Sequence, residues 1–185
     1  MRVTGTDPYL WMNAAEATFL RAEYELRWGS AETAGTLYEQ AVTLSFEERG
    51  ADNVKGYLSD ATSTPAAYKD PLNKHSMASP QSSITVAWNA AADFETNLER
   101  IITQKWIAST RCQAWDAWFD INRTGIPEVS EYTTDGDPDD YVLGTLAYNP
   151  NSSLAKGQFA HRFIYNTNAP TKVPAITEPL WWHKK

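Results

Sequence analysis

The chain has 185 residues, enough for one domain with a sizeable core. Its formal charge of -7 excludes a dedicated nucleic-acid surface, which needs clustered Lys and Arg. An apolar content of 42% excludes global disorder, and Cys112, the single cysteine, excludes an internal disulfide.

Met1-Arg2-Val3-Thr4-Gly5 has no apolar signal-peptide stretch, and no apolar run approaches the roughly twenty residues that span a bilayer. Residues 1–12 read as an extended lead-in. Asn13-Ala14-Ala15-Glu16 then has the pattern of a capping box, with Asn13 as N-cap and Glu16 reaching back to its amide. The helix it opens is predicted to run to about Trp28, with Ala15, Phe19, Ala22 and Leu26 on one apolar face. Gly29 ends it and Ser30 caps a second helix running to about Glu48. Leu37, Ala41, Leu44 and Ser45 make one face of that helix, beside Tyr38, Val42 and Phe46. Two such helices joined by Gly-Ser predict a tetratricopeptide-like hairpin over residues 13–49.

Residues 50–90 predict an irregular connection. Asp52 is a candidate cap for a short helix holding Tyr57 and Leu58, and Pro65, Pro71 and Pro80 interrupt the rest of the segment. A connection of this length is either folded locally or functional. A second, aromatic-rich helix pair is predicted over residues 91–125. Its first helix runs from about Ala91 to Thr110, with Phe94, Leu98, Ile101, Ile102, Lys105 and Trp106 as the buried stripe. Its second runs from about Cys112 to Arg123, with Trp115, Trp118, Phe119 and Asn122 inward, and Gly125 and Pro127 stop it. Residues 126–185 predict a loop-rich, extended C-terminal tail, with Leu180-Trp181-Trp182-His183 near its end. The fold class is therefore mainly α.

Four motifs in order carry a resemblance. They are Asn13-Ala14-Ala15-Glu16 with Phe19-Leu20-Arg21-Ala22-Glu23; Leu37-Tyr38-Glu39-Gln40-Ala41-Val42 with Ser45-Phe46; Gln104-Lys105-Trp106-Ile107-Ala108 with Ala114-Trp115 and Arg123-Thr124-Gly125-Ile126-Pro127; and Leu180-Trp181-Trp182. Together they resemble the C-terminal part of the SusD/RagB family of outer-membrane nutrient-binding lipoproteins, in its SusD-like branch. The third motif is the specific one. Gln113 departs from the family's usual Glu before Ala-Trp, and Arg162-Phe163-Ile164-Tyr165-Asn166 lacks the late Pro and Glu.

The resemblance implies non-catalytic binding of oligosaccharide or another nutrient polymer fragment at the cell surface. It implies delivery to a SusC-like TonB-dependent transporter, and a lipid anchor, signal peptide and N-terminal helical repeats upstream of Met1. Two alternatives are a tetratricopeptide-type scaffold that binds only protein and an all-helical glycoside hydrolase. The hydrolase needs two opposed carboxyls roughly 5–9.5 Å apart, and no catalytic pair stands out.

Ligand contacts are expected on loops held by a rigid scaffold. Tyr68, with Lys69, Asp70 and Asn73, is the most attractive group, and Trp88 is a further candidate. A tyrosine ring stacks on the CH face of a sugar, while the polar neighbours bond its hydroxyls. Tyr57, Tyr132, Tyr141 and Tyr148 are weaker loop candidates. Any one of them is more simply an ordinary loop tyrosine. Trp106, Trp115 and Trp118 read as core packing, because aromatic stripes at helical spacing usually are. The run Asp135, Asp137, Asp139 and Asp140 lacks the Gly and closing Glu of a calcium loop and reads as a solvated acidic loop. His75, His161 and His183 lack metal-ligand spacing, so neither a metal nor a cofactor is expected.

Overall fold

The computed structural model describes residues 11–67, 80, 82–110 and 113–127. Five helices and no strand occur among them: α1 (Ala14–Trp28), α2 (Ala31–Arg49), α3 (Val54–Leu58), α4 (Phe94–Ala108) and α5 (Ala114–Thr124). The chain divides into two compact units. Nearly all described residues fall in the first, which takes in Met1–Pro65, Ser82–Ile121 and Gly125–Pro127. The second contributes Ala66, Ala67, Pro80 and the last turn of α5 to the described set.

The caps explain where the first two helices begin. Asn13 Oδ1 accepts the Glu16 amide at 2.7 Å, and Ser30 Oγ accepts the Thr33 amide at 3.1 Å. The capping box is only half closed: the Glu16 carboxylate takes the side-chain amide of Gln113 instead of the Asn13 backbone. Gly50 ends α2 in the left-handed region at φ 60°, where it has no Cβ to strain. The short helix α3 starts at Asn53, itself left-handed at φ 63°, and not at the anticipated Asp52. Asp93 caps α4 by accepting the Thr96 amide at 2.8 Å. The Asp93 bonds hold its carboxyl below the usual range, the Thr96 amide bond first among them. This cap places the helix start three residues later than the apolar pattern suggests.

Three helices build the core. α1 supplies Ala15, Phe19 and Ala22; α2 supplies Leu37, Tyr38, Ala41 and Val42; α4 supplies Leu98, Ile101, Ile102 and Ala108. The alanines let the hairpin helices approach closely, and the large side chains fill the space α4 closes. Phe94, placed with the buried stripe, stands in the first turn of α4 and is more than a third exposed; the Arg27 guanidinium lies 5.2 Å from its ring centroid. Trp106 is half-buried. Arg49, at the end of α2, donates to the carbonyls of Ala108 and Thr110, the latter at 2.8 Å. A cation thereby closes the C-terminus of α4, where the dipole is negative.

Segment 82–90 is folded locally, not a free loop. Tyr38 donates its hydroxyl to Val86 O at 2.7 Å, Ala87 N donates to Asp60 O at 2.9 Å, and Asn97 Nδ2 donates to Asn89 O at 3.0 Å. Trp88 lies across α2 at Gly35, where an added Cβ would stand 2.4 Å from the indole nitrogen. Glycine inside a helix ordinarily costs about 1 kcal/mol relative to Ala. Here the close approach of an anchored indole outweighs it, because overpacking costs roughly 1–3 kcal/mol and Trp88 is hydrogen-bonded in place. Gly35→Ala is therefore expected to lower the thermal midpoint despite the better helix former, and calorimetry of the variant checks the sign. A higher midpoint would mean that Trp88 does not bear on α2.

Candidate functional site

Tyr68, Asp70 and Asn73 lie outside the described residues, as do Lys69, Tyr132, Tyr141, Tyr148, the Asp135–Asp140 run and the terminal Trp181 and Trp182. Trp88 is described and half-buried. Its Nε1 donates to Ala31 O at 3.1 Å, and its ring lies 5.2 Å from that of Tyr38, tilted by 37°. Trp88 thus pins segment 82–90 onto the first turn of α2. This is a packing role, set by an indole that has found both a polar partner and an apolar bed.

Tyr57 also packs inward. Its ring stands 5.1 Å from Phe46, and Gln104 Nε2 donates to its hydroxyl at 2.9 Å. Next to it, Asp60 organises the start of the described connection. Its Oδ1 accepts the amides of Thr62 at 2.9 Å and Ser63 at 2.8 Å. The Ser63 bonds, followed by that of Thr62, hold the Asp60 carboxyl well below the ordinary range. Arg100 is buried under the other end of the segment. It donates to Asn97 Oδ1 at 2.9 Å and reaches Thr85 Oγ1 at 3.5 Å. Both ends of the 50–90 connection are therefore fixed to the helical frame, and the Tyr68 group lies between them in sequence.

A second constellation holds α5. Lys105 and Asp120 form an ion pair at 2.7 Å in which both side chains are more than nine-tenths buried. The Gln113 side chain donates to the Glu16 carboxylate, and Asn13 Nδ2 reaches Gln113 Oε1 at 3.4 Å. Burial raises the Glu16 carboxyl above its ordinary value of 4.5; Lys105 lowers it, and Asp116 and Asp120 add to the rise. Gln113 stands where the resemblance puts Glu. A carboxylate there would face the Glu16 carboxylate at hydrogen-bond distance, whereas the amide donates to it.

The buried positions of α5 and its cap are Gln113, Ala117, Asp120 and Thr124, spaced by four, three and four. Trp115, Trp118 and Phe119 lie on the other side, 65%, 36% and 51% exposed. This corrects the expectation that those aromatics point inward. The polar face is the buried one because the Lys105 ammonium and the Glu16 carboxylate need partners, and α5 supplies them. Sequence reasoning missed both pairs. Lys105 and Asp120 are 15 positions apart and Glu16 and Gln113 are 97 apart, so no local spacing announces either. The 113-117-120-124 periodicity was the available sign of the buried face.

Among the described residues no group of three His, Cys, Asp or Glu could hold a metal ion, and no helix is long and apolar enough to cross a membrane.

Comparison with known proteins accords with this helical frame. Residues 1–148 match the SusD-like family, described as "Susd and RagB outer membrane lipoprotein". A SusD homologue from Bacteroides uniformis is 48% identical at a TM-score of 0.64, covering 69% of this chain and 26% of its own. One from Bacteroides thetaiotaomicron is 41% identical at a TM-score of 0.63, covering 75% of this chain and 30% of its own. A chitin-binding SusD homologue from Flavobacterium johnsoniae is 46% identical at a TM-score of 0.58, covering 64% and 25%. No curated protein matches. The chain belongs to the SusD-like family, and it spans between a quarter and a third of the length of these solved relatives.

Two outcomes check the polar constellation. Lys105→Met leaves the Asp120 charge buried and is expected to cost about 3–5 kcal/mol, largely recovered in Lys105→Met/Asp120→Leu; denaturant titration of both variants measures it. For Glu16, a raised folded pKa means that its contribution is full below the unfolded value of 4.5 and is lost as pH rises through the folded value. Glu16→Gln keeps an acceptor for Gln113 and does not titrate. Its thermal midpoint relative to wild type is expected to climb from pH 4.5 towards neutrality, and a flat difference would contradict the assigned burial.

Proposed function

We propose that this chain is part of a non-catalytic surface protein that binds oligosaccharide or another nutrient polymer fragment and passes it to a SusC-like TonB-dependent transporter. The observation that carries the reading is the 46% identity shared with the chitin-binding relative from Flavobacterium johnsoniae. A helical frame with both ends of a long connection tied down suits such a task. Binding by many modest contacts needs loops presented from a rigid support, with little ordering cost on association. In this reading Tyr68 stacks on a sugar ring, Asp70 and Asn73 accept and donate to its hydroxyls, and Trp88 holds the segment that carries them. The full-length protein is held at the outer membrane by a lipid anchor and works at the cell surface.

The scaffold alternative draws support from one feature. Leu20, Tyr24 and Trp28 recur every fourth residue on the outer face of α1 and are all exposed, with the Tyr24 and Trp28 rings 5.1 Å apart. A ridge of that kind fits a protein groove better than a soluble sugar.

Calorimetry of the full-length protein with chitin oligosaccharides and a panel of other glycans separates the readings. Tyr68→Ala is expected to weaken the glycan that binds by about tenfold, near 1.4 kcal/mol, while helicity and thermal midpoint stay as in wild type. Unchanged affinity would remove Tyr68 from the site. Binding of a transporter barrel with no glycan binding would favour the scaffold, and release of reducing sugar would favour a hydrolase.

A further inference from the structure

α4 buries two cations, and the fold treats them differently. Lys105, 6% exposed, has the Asp120 carboxylate at 2.7 Å. Arg100, 8% exposed, has no carboxylate within ion-pair distance among the described residues. Glu99, its neighbour in the helix, accepts from the Ser82 hydroxyl instead. The acceptors that Arg100 does have are neutral: Nη1 donates to Asn97 Oδ1 at 2.9 Å, and Nη2 reaches Thr85 Oγ1 only at 3.5 Å. A buried charge met only by neutral groups is costly, more so than one that has found an opposite charge at the same depth.

The unmet hydrogen-bonding capacity lies on one edge of the group. Nε is buried and has no hydrogen-bond partner. In a guanidinium, Nε–H and an Nη2–H point the same way and form a side-on fork that takes anions. In Arg100 the Nε half of that fork is unmatched and the Nη2 half is met at the limit of reach. Thr103 lies three residues on, over the same side of α4, and is also 8% exposed. Its Oγ1 is the other buried side-chain atom without a partner among the described residues. Such atoms are uncommon in folded proteins. Here both stand on neighbouring positions of one helix face, and one belongs to an unpaired cation.

The requirements of this place are narrow. It calls for negative charge, for a group small enough to meet atoms that solvent does not reach, and for acceptance from several directions. A water meets the directions and leaves the charge. A sulfate or phosphate brings more oxygens than there are donors. A monatomic halide accepts from every side and carries one charge.

We propose that the side-on fork of Arg100 and the Thr103 hydroxyl form a buried site for one monovalent anion of the size of chloride. Arg100 supplies the opposite charge and two N–H donors, and Thr103 supplies the third donor. The anion neutralises the guanidinium as Asp120 neutralises Lys105, on the part of α4 that Thr85 of segment 82–90 approaches. The site is separate from glycan binding and stands or falls without it.

The thermal midpoint of the full-length protein tests this in chloride or bromide, with ionic strength held constant by gluconate, an anion too large for the site. The midpoint is expected to rise saturably with halide, by about 2 °C. Thr103→Val keeps the side-chain shape and removes the hydroxyl, and is expected to weaken the apparent halide affinity about tenfold. Arg100→Met is expected to abolish the halide dependence. Crystals soaked in bromide are expected to show an anomalous peak between Arg100 Nε and Thr103 Oγ1; this map and the Thr103→Val titration do not depend on Arg100→Met folding. A midpoint indifferent to halide overturns the proposal. An identical response in wild type and Thr103→Val places the halide elsewhere and also overturns it. Density at the site without bromide signal assigns it to water, with the same result.

Discussion

Tyr38 is the side chain on which the helical frame converges. It is fully buried on α2, meets Phe19 of α1 edge-on at 6.4 Å, lies against Trp88 and donates its hydroxyl to Val86 O. Burial, ahead of any neighbouring charge, pushes the phenol above its ordinary value, so it remains a donor at any pH the cell meets. The ring contributes apolar area to the α1–α2 seam, and the hydroxyl fixes a segment of chain 48 residues away. A phenylalanine at this position would preserve the seam and leave the Val86 carbonyl unpaired, so the two functions of Tyr38 separate at a single oxygen.

That convergence decides how the connection between the helix pairs behaves. A structureless stretch of 41 residues over 50–90 would be costly to order on binding. The fold shortens the problem from both ends. Asp60 turns the chain through the Thr62 and Ser63 amides, and Ala87 N donates back to Asp60 O, bringing residues 60 and 87 side by side. The described ends of that stretch therefore meet, with Trp88 and Tyr38 as their footing. Under the proposed binding role, ends held together in advance would lower the entropy cost of ordering the stretch between them.

Sequence patterns reveal the frame because its determinants are local. The Asn13 and Ser30 caps, the Gly50 and Gly125 stops and the four-three-four spacing of Ala15, Phe19, Ala22 and Leu26 each act within one or two turns. Periodicity places Tyr38 only beside the α2 face, because it cannot see segment 82–90 folding over it. Trp88 looks like a loop aromatic in sequence for the same reason. The expectation for α5 fails on a different point. Hydrophobicity puts Trp115, Trp118 and Phe119 inside, whereas the buried face is chosen by charges on other helices. Nothing near Asp120 in sequence indicates that Lys105 will require it. Of the ligand group, composition points to Tyr68, Asp70 and Asn73, which lie outside the described residues, and to Trp88, which the fold uses as an anchor.

The inversion of α5 has an energetic consequence. Fully burying a large apolar side chain stabilises by roughly 1.5–3 kcal/mol, and Trp115 and Phe119 realise less than half of that burial here. Two buried ionised side chains, Lys105 and Asp120, do little more than offset their own desolvation. The helix is thus placed by interactions that are specific but weak in net terms, while its strongest potential interactions face outward. Such an arrangement favours a single register over tight attachment: the ion pair permits only one rotation of α5 about its axis, and that rotation determines which way the aromatic ridge points. Reversing the helix to bury the rings would strand the Lys105 ammonium and remove the Gln113 donor from Glu16. The charges on α1 and α4, and not the hydrophobicity of α5, therefore fix the direction in which Trp115 and Phe119 point.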